Sequence, residues 1–374
     1  MATTIALIGA LHPAARELAL ALEDDPGVER VLGLSRHEPP LLGPKFEFVQ
    51  AGPGDTGFAT ALAGVDTVVL FPLIDAADRN EDGRRARVVE GTRQAMEAAA
   101  GAATVVLWSS GVVYGAHPDN PVPIPETQPT RPNPAFPAAG VLAESERIAL
   151  EAAEGRPERS VVVLRGAGVW APAWGTFLGR SLMAPALVGV KGQDPPLQCL
   201  APADAVSALA LATSGRLRGI YNVAPDDSVG AREAARAAGR RRLEVSQRVA
   251  QATAERLWRA GMSAATAGEL SYQMHPWVLA NTRLRQAGWV PTRTSAEAFA
   301  EAGAQLPKGV LVGGVQVRRS DVYRGAAAGL ALVAAVAVAR RQARSARSAR
   351  PGSGGPRLGS GRPGRRPRRP ASPL

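Results

Sequence analysis

Cysteine is nearly absent, Cys199 being the only one in 374 residues. That excludes an intrachain disulfide and a thiolate zinc site, and leaves core filling as the expected role of the thiol. The opening MATTIALIGA has no basic stretch ahead of its short apolar run, so no secretory leader is expected and a cytoplasmic location is. Acidic residues are missing from 340–374, which hold eleven Arg. Taking those from the 44 basic residues leaves 33 against 33 acidic ones, so the net charge of +11 resides in the tail and the body is neutral. Nucleic acid is therefore not an expected ligand of the fold, and only the tail offers non-specific attraction to polyanions. Long hydrophobic runs are also lacking. Gly325–Ala339 is apolar throughout and framed by Arg324 and Arg340, but at ~1.5 Å per residue it reaches about 22 Å against a hydrocarbon core of roughly 30 Å. Either its arginines snorkel and residues 325–341 anchor the chain to a membrane, or the helix lies on an anionic surface or packs on the body.

What is present reads as alternating strands and helices. Val105–Trp108 is too short an apolar run for a helix and breaks into Ser109, Ser110 and Gly111, which predicts a buried parallel strand ending in a loop. In open α/β sheets ligands lie beyond the carboxyl ends of such strands, so the two serines are expected to face a site. Thr4–Ile8 predicts a first strand, Gly9 a turn and Ala14–Leu22 a helix. Further strands are predicted at Val28–Ser35, Phe46–Gln50, residues 66–72, a segment starting at Ser160, and Gly219–Ala224. A long helix is predicted over 84–100 and a basic one over Arg232–Arg242.

The segment SSGVVYG at 109–115 and PIPE at 123–126 resemble motifs of the extended short-chain dehydrogenases/reductases, the NAD-dependent epimerase/dehydratase family. EGTRQAMEAAA at 90–100, SVVVLRGAGVWAP at 160–172 and the GW-x-P ending at Pro291 follow in the family's order. The resemblance covers residues 4 to about 304 and implies an α/β fold: a Rossmann-type doubly wound parallel sheet with a small mixed C-terminal lobe. To this the sequence adds a C-terminal apolar helix and a disordered basic tail. The implied domains are 1–165 for NAD(P) binding and 166–304 for substrate binding, then a linker at 305–324, the apolar helix at 325–341 and the tail at 342–374.

The resemblance also implies a cofactor site. The family's glycine-rich loop falls on Gly9-Ala10-Leu11-His12-Pro13-Ala14-Ala15, where glycines let the backbone approach a pyrophosphate at the helix N-terminus. Of the three glycines only Gly9 remains, with His12 and Ala15 at the second and third positions. His12 is expected either to contact the phosphate when protonated or to fill the site. The tip of the second strand carries Arg36 in place of an acid, which favours NADP over NAD. Asp55 matches the "GD" beside the adenine. Pro72 stands where the family presses small residues against the cofactor, and removes an N–H donor there.

In this family a Tyr and a Lys four residues apart on a helix carry the proton chemistry. Counted from Ala143-Glu144-Ser145-Glu146, they should stand at 138 and 142, which are Ala138 and Leu142. The four tyrosines, at 114, 221, 272 and 323, and the three lysines, at 45, 191 and 308, never fall four apart in that order. Ser110 matches the family's catalytic Ser/Thr but lacks these partners. Tyr114 is expected to pack, His117 to sit in a loop, Glu126 to pair with an Arg such as Arg131, Asp204 to cap the helix that follows it, and His275 and Trp277 to lock packing. The leading expectation is a dinucleotide-binding regulatory or scaffold protein, with an unspecified small-molecule ligand and a homodimer among its partners. The alternative is an active NAD(P)-dependent oxidoreductase or epimerase with a non-standard acid or base.

Overall fold

The apolar runs become parallel strands: β1 (Thr3–Ile8), β2 (Val28–Ser35), β3 (Phe46–Gln50), β4 (Thr67–Leu70), β5 (Thr104–Ser110) and β6 (Ser160–Gly166). With Gly219–Val223 they form one seven-stranded sheet in the order β3-β2-β1-β4-β5-β6 and then that last strand, with every pairing parallel. This is the doubly wound order, whose reversal between β1 and β4 opens a crevice at the strands' carboxyl ends. The computed structural model describes residues 3–39, 43–72, 81–183, 186–259, 266–306, 309–312 and 315–318. The chain divides into a unit of residues 1–316 and a second of 317–374. The helix expected at 325–341 and the tail lie outside the described residues. Among the described residues no helix is long and apolar enough to cross a membrane.

Burial on both faces explains why the strands read as unbroken apolar runs. Side chains alternate along β5, so Val106 and Trp108 enter one core while Val105 and Leu107 enter the other. On the first face α1 (Pro13–Glu23) packs through Ala14, Ala15 and Leu18 beside Ala205 and Leu209 of helix Pro202–Thr213. After the short helix α2 (Phe58–Ala61), the opposite face is covered by α3 (Glu81–Ala98) and α4 (Pro137–Glu151), which contribute Ala95, Met96, Ile148 and Ala149. Thr92 of α3 donates to Ser145 of α4 at 3.2 Å. Buried Arg159 donates to Met96 O and Ala99 O, satisfying carbonyls at the end of α3.

Two local expectations are corrected. The basic helix expected over Arg232–Arg242 spans only Ala231–Ala237, because Gly239 turns left-handed at φ 61° and Arg242 begins a strand. Asp204 does not cap its own helix, whose N-cap is Ala201. Its buried carboxylate instead accepts from Thr292 N and Oγ1 and from Arg293 N, fixing the approach to helix Ser295–Ala304. Within 305–324, strands Gly309–Val312 and Val315–Arg318 pair with each other.

Candidate functional site

The turn after β1 uses Gly9 at φ 87°, a conformation that glycine adopts at no steric cost. His12 then occupies the N-cap of α1 with ordinary extended backbone, φ −64° and ψ 132°, and its Nδ1 accepts from Ala14 N at 3.1 Å. Its ring stacks on Phe71, just past β4, at 5.2 Å and meets Trp174 edge-on at 6.0 Å. Trp174 is held by a bond from its Nε1 to Glu17 at 2.9 Å. This crowding removes water from the imidazole and lowers its pKa to about 4. His12 is thus held neutral near pH 7 in this conformation, with its ring at the N-terminus of α1.

The depressed pKa has a stability consequence. In the unfolded chain the ring takes up its proton near the ordinary 6.5, whereas in the fold it resists down to about 4. Its contribution is therefore complete above the higher value and is lost as pH falls between the two. In His12→Phe, the slope of unfolding free energy across that window is expected to flatten by at most about 1.4 kcal/mol per pH unit, measured by urea unfolding at several pH values.

Beyond the ends of the strands lies a cavity of ≈ 490 Å³ that gathers Leu11, His12, Pro72, Ser110, Ala138 and Leu142. With Ser109, also in the lining, seven of the residues singled out from the sequence share one space. Trp108, Trp174, Phe136 and Phe177 supply much of the remaining wall. Ser110 Oγ accepts from Val112 N and donates to Gly166 O, both at a long 3.4 Å. On α4, Ala138 and Leu142, the positions that the count along the sequence assigned to the phenol and the ammonium, present a methyl and an isobutyl group, and neither transfers a proton.

Gly9, Arg36 and Asp55 lie outside the cavity's lining. Arg36 Nε and Nη2 each reach the Asp55 carboxylate at 3.1 Å, and Nη2 also donates to Pro53 O at 2.8 Å. The bond from Arg36, together with that from Gly52 N, keeps the Asp55 carboxyl below its usual range. The guanidinium fork is therefore already engaged, which weakens its claim on a 2′-phosphate.

Beneath the cavity floor runs a buried polar network. Ser109 donates to Glu146 Oε1 at 2.5 Å, and Glu146 pairs with Arg165 at 2.7 Å. The guanidinium lies 4.6 Å from the centre of the Tyr114 ring, and the phenol donates to Asn222 Oδ1 at 2.9 Å. Tyr114 is a packing residue, as expected, and burial raises its pKa. Glu126 does not pair with Arg131: it accepts from Asn222 N, while Arg131 forms a fork with Asp119. His117 Nε2 lies 2.8 Å from Arg131 O. Trp277 is buried with Nε1 donating to Tyr272 O, a structural role, and Cys199 fills core.

Sequence reasoning missed two charged residues of the lining, Arg180 and Glu269. A signal for the second was present in Thr266-Ala267-Gly268-Glu269, a capping-box spacing. Among the described residues no cluster of His, Cys, Asp or Glu could hold a metal.

No family model matches the chain. It is 30% identical over 298 residues to the uncharacterized protein Rv0501 of Mycobacterium tuberculosis, covering 75% of this chain and 78% of that protein. Among solved structures it is similar to DesIV, a dTDP-glucose 4,6-dehydratase from Streptomyces venezuelae with NAD and TYD bound: TM-score 0.62, 20% identity, 81% of this chain and 96% of that one. It is likewise similar to a short-chain dehydrogenase/reductase superfamily protein from Agrobacterium tumefaciens with bound NAD: TM-score 0.60, 18% identity, 80% of this chain and 96% of that one. The fold is that of NAD-dependent epimerases and dehydratases.

Proposed function

We propose, for a chain that belongs to one family with the mycobacterial protein and has the fold of the extended short-chain dehydrogenases/reductases, a dinucleotide-binding role without the Tyr/Lys proton relay. The observation that carries this reading is the placement of Ala138 and Leu142 on the cavity wall beside Ser110. Both side chains face the cavity, and neither can carry the relay.

The residues fit a dinucleotide at three points. Gly9 shapes the turn before α1, Asp55 is the residue that the resemblance assigns to the adenosine end, and Ser110 offers a hydroxyl at the carboxyl end of β5. The misfit is His12, which occupies the approach to the α1 N-terminus and takes the Ala14 N–H for itself. Its ring must leave Phe71 before a pyrophosphate can reach that N–H. A bound nicotinamide would supply hydride chemistry; Ser110 could only orient a ligand oxygen by hydrogen bonding. A regulatory or scaffold role follows from binding without the relay. NAD is the reference cofactor here, since Arg36 is held by Asp55, and NADP is the comparison.

The test is a titration with NAD and NADP, read by the fluorescence of Trp108 and Trp174, which line the cavity. Saturable quenching is expected below about 1 mM, a weak affinity of about −4 kcal/mol or better. No turnover is expected with nucleotide-sugar substrates. Absence of any saturable signal for either dinucleotide overturns the proposal.

A second reading, an enzyme with a non-standard acid, is favoured by one observation, the carboxyl of Glu269 in the same cavity.

A further inference from the structure

The short 3₁₀ segment Ala267–Gln273 is docked on the chain just ahead of α4. Thr266 Oγ1 donates to Ala135 O at 3.3 Å, Asn133 Nδ2 donates to Ser271 Oγ at 3.1 Å, and Tyr272 OH donates to Val112 O at 2.7 Å. Gly268 packs so closely that a Cβ there would stand 2.1 Å from Ala135 O. This contact places Glu269 on the wall of the cavity that Ala138 also lines.

Glu269 is only 8% exposed. Its Oε1 accepts from Thr266 N at 3.1 Å, and Oε2 has no protein partner among the described residues. That oxygen is not sealed from water, so it is open to the cavity and to a ligand there. Burial raises its pKa to about 7, against weaker opposing pulls, first from the Thr266 N–H that it accepts and then from Arg180. The other titratable groups near this turn leave that balance intact. Tyr272 on the same segment is itself raised by burial, and His12 on the cavity wall is neutral. On the packed helix Gln247–Arg259, Arg259 pairs with Glu255 at 3.0 Å, and Arg248 and Arg256 are exposed. Arg180 itself donates to Gly175 O at 2.6 Å.

We propose that Glu269 takes over the donor role left open at 138, and that the cavity's ligand is a largely apolar carbonyl compound whose oxygen accepts from its carboxyl. The inference rests on the same cavity as the dinucleotide reading but concerns its second ligand. The wall of Trp108, Trp174, Phe136 and Phe177 suits an apolar body, and Glu269 fixes where its oxygen points.

Calorimetric titration of the full-length protein with benzylacetone, and with butylbenzene as its hydrocarbon counterpart, tests this. At about pH 6 the ketone is expected to bind at least about tenfold tighter than the hydrocarbon. Above about pH 7 its Kd should rise towards tenfold per unit as the donor ionises. Glu269→Gln keeps an amide donor and the bond from Thr266, so it should retain the preference for the ketone and lose the pH dependence. Glu269→Leu should reduce the ketone to the affinity of the hydrocarbon. The proposal is overturned if neither probe binds, if the two bind alike, or if the pH dependence persists in the Gln variant. A ketone profile as expected with no NAD response would count against the dinucleotide reading alone; the reverse pattern would count against this inference alone.

Discussion

Replacing Arg165 with Met is expected to destabilise the fold by about 3–5 kcal/mol, because it strands a buried carboxylate. Glu146 and Arg165 side chains are 2% and 4% exposed, and Arg165 reaches Glu146 through Nε at 3.2 and 3.0 Å and through Nη2 at 2.7 Å. Desolvation of both charges is offset only while both are present. Removing Glu146 as well, in Glu146→Met with Arg165→Met, should recover most of the loss, since an apolar pair of similar volume has no charge to solvate. Ser109 would then lose its acceptor, at a remaining cost of about 1 kcal/mol. The measurement is the urea midpoint and slope for the two variants. A single substitution costing less than about 1 kcal/mol would show that the pair contributes no more than an exposed one.

The second large effect concerns affinity. In His12→Gly the dinucleotide Kd is expected to fall at least about tenfold, a gain of about 1.4 kcal/mol. The backbone at residue 12 already has φ −64°, so glycine changes nothing in the turn itself. What changes is access: the ring leaves Phe71 and Trp174, and Ala14 N is free to meet a phosphate oxygen at the positive end of α1. Stability should drop by about 1 kcal/mol through the lost ring contacts and side-chain cap. An unchanged Kd would show that His12 does not obstruct the site, and equilibrium titration of both proteins with NAD decides the matter.

The sheet was legible because parallel strands covered on both faces leave a strong local mark: Val28–Ser35 and Phe46–Gln50 fall where their composition placed them. That Ala138 and Leu142 stand one turn apart on one helix was legible too, because spacing along a helix needs no tertiary knowledge. Pairings across the fold were not. Glu126 meets Asn222, Asp204 meets Thr292, and Asp55 holds Arg36 over separations of 96, 88 and 19 residues. Nothing local distinguishes those partners from the nearer Arg131 or from solvent. Glu269 escaped notice for the same reason, since its place on the cavity depends on Gly268 lying against Ala135. The neutrality of His12 likewise arises from Phe71 and Trp174, far away in the chain.

One face of α4 carries Ala138, Leu142 and Glu146 at successive four-residue steps, the first two in the cavity wall and the third clamped to Arg165. The clamp sets the rotation and height of the helix independently of which side chains point into the cavity. Substitutions at 138 and 142 can therefore change what the cavity does while the rod that carries them stays in place.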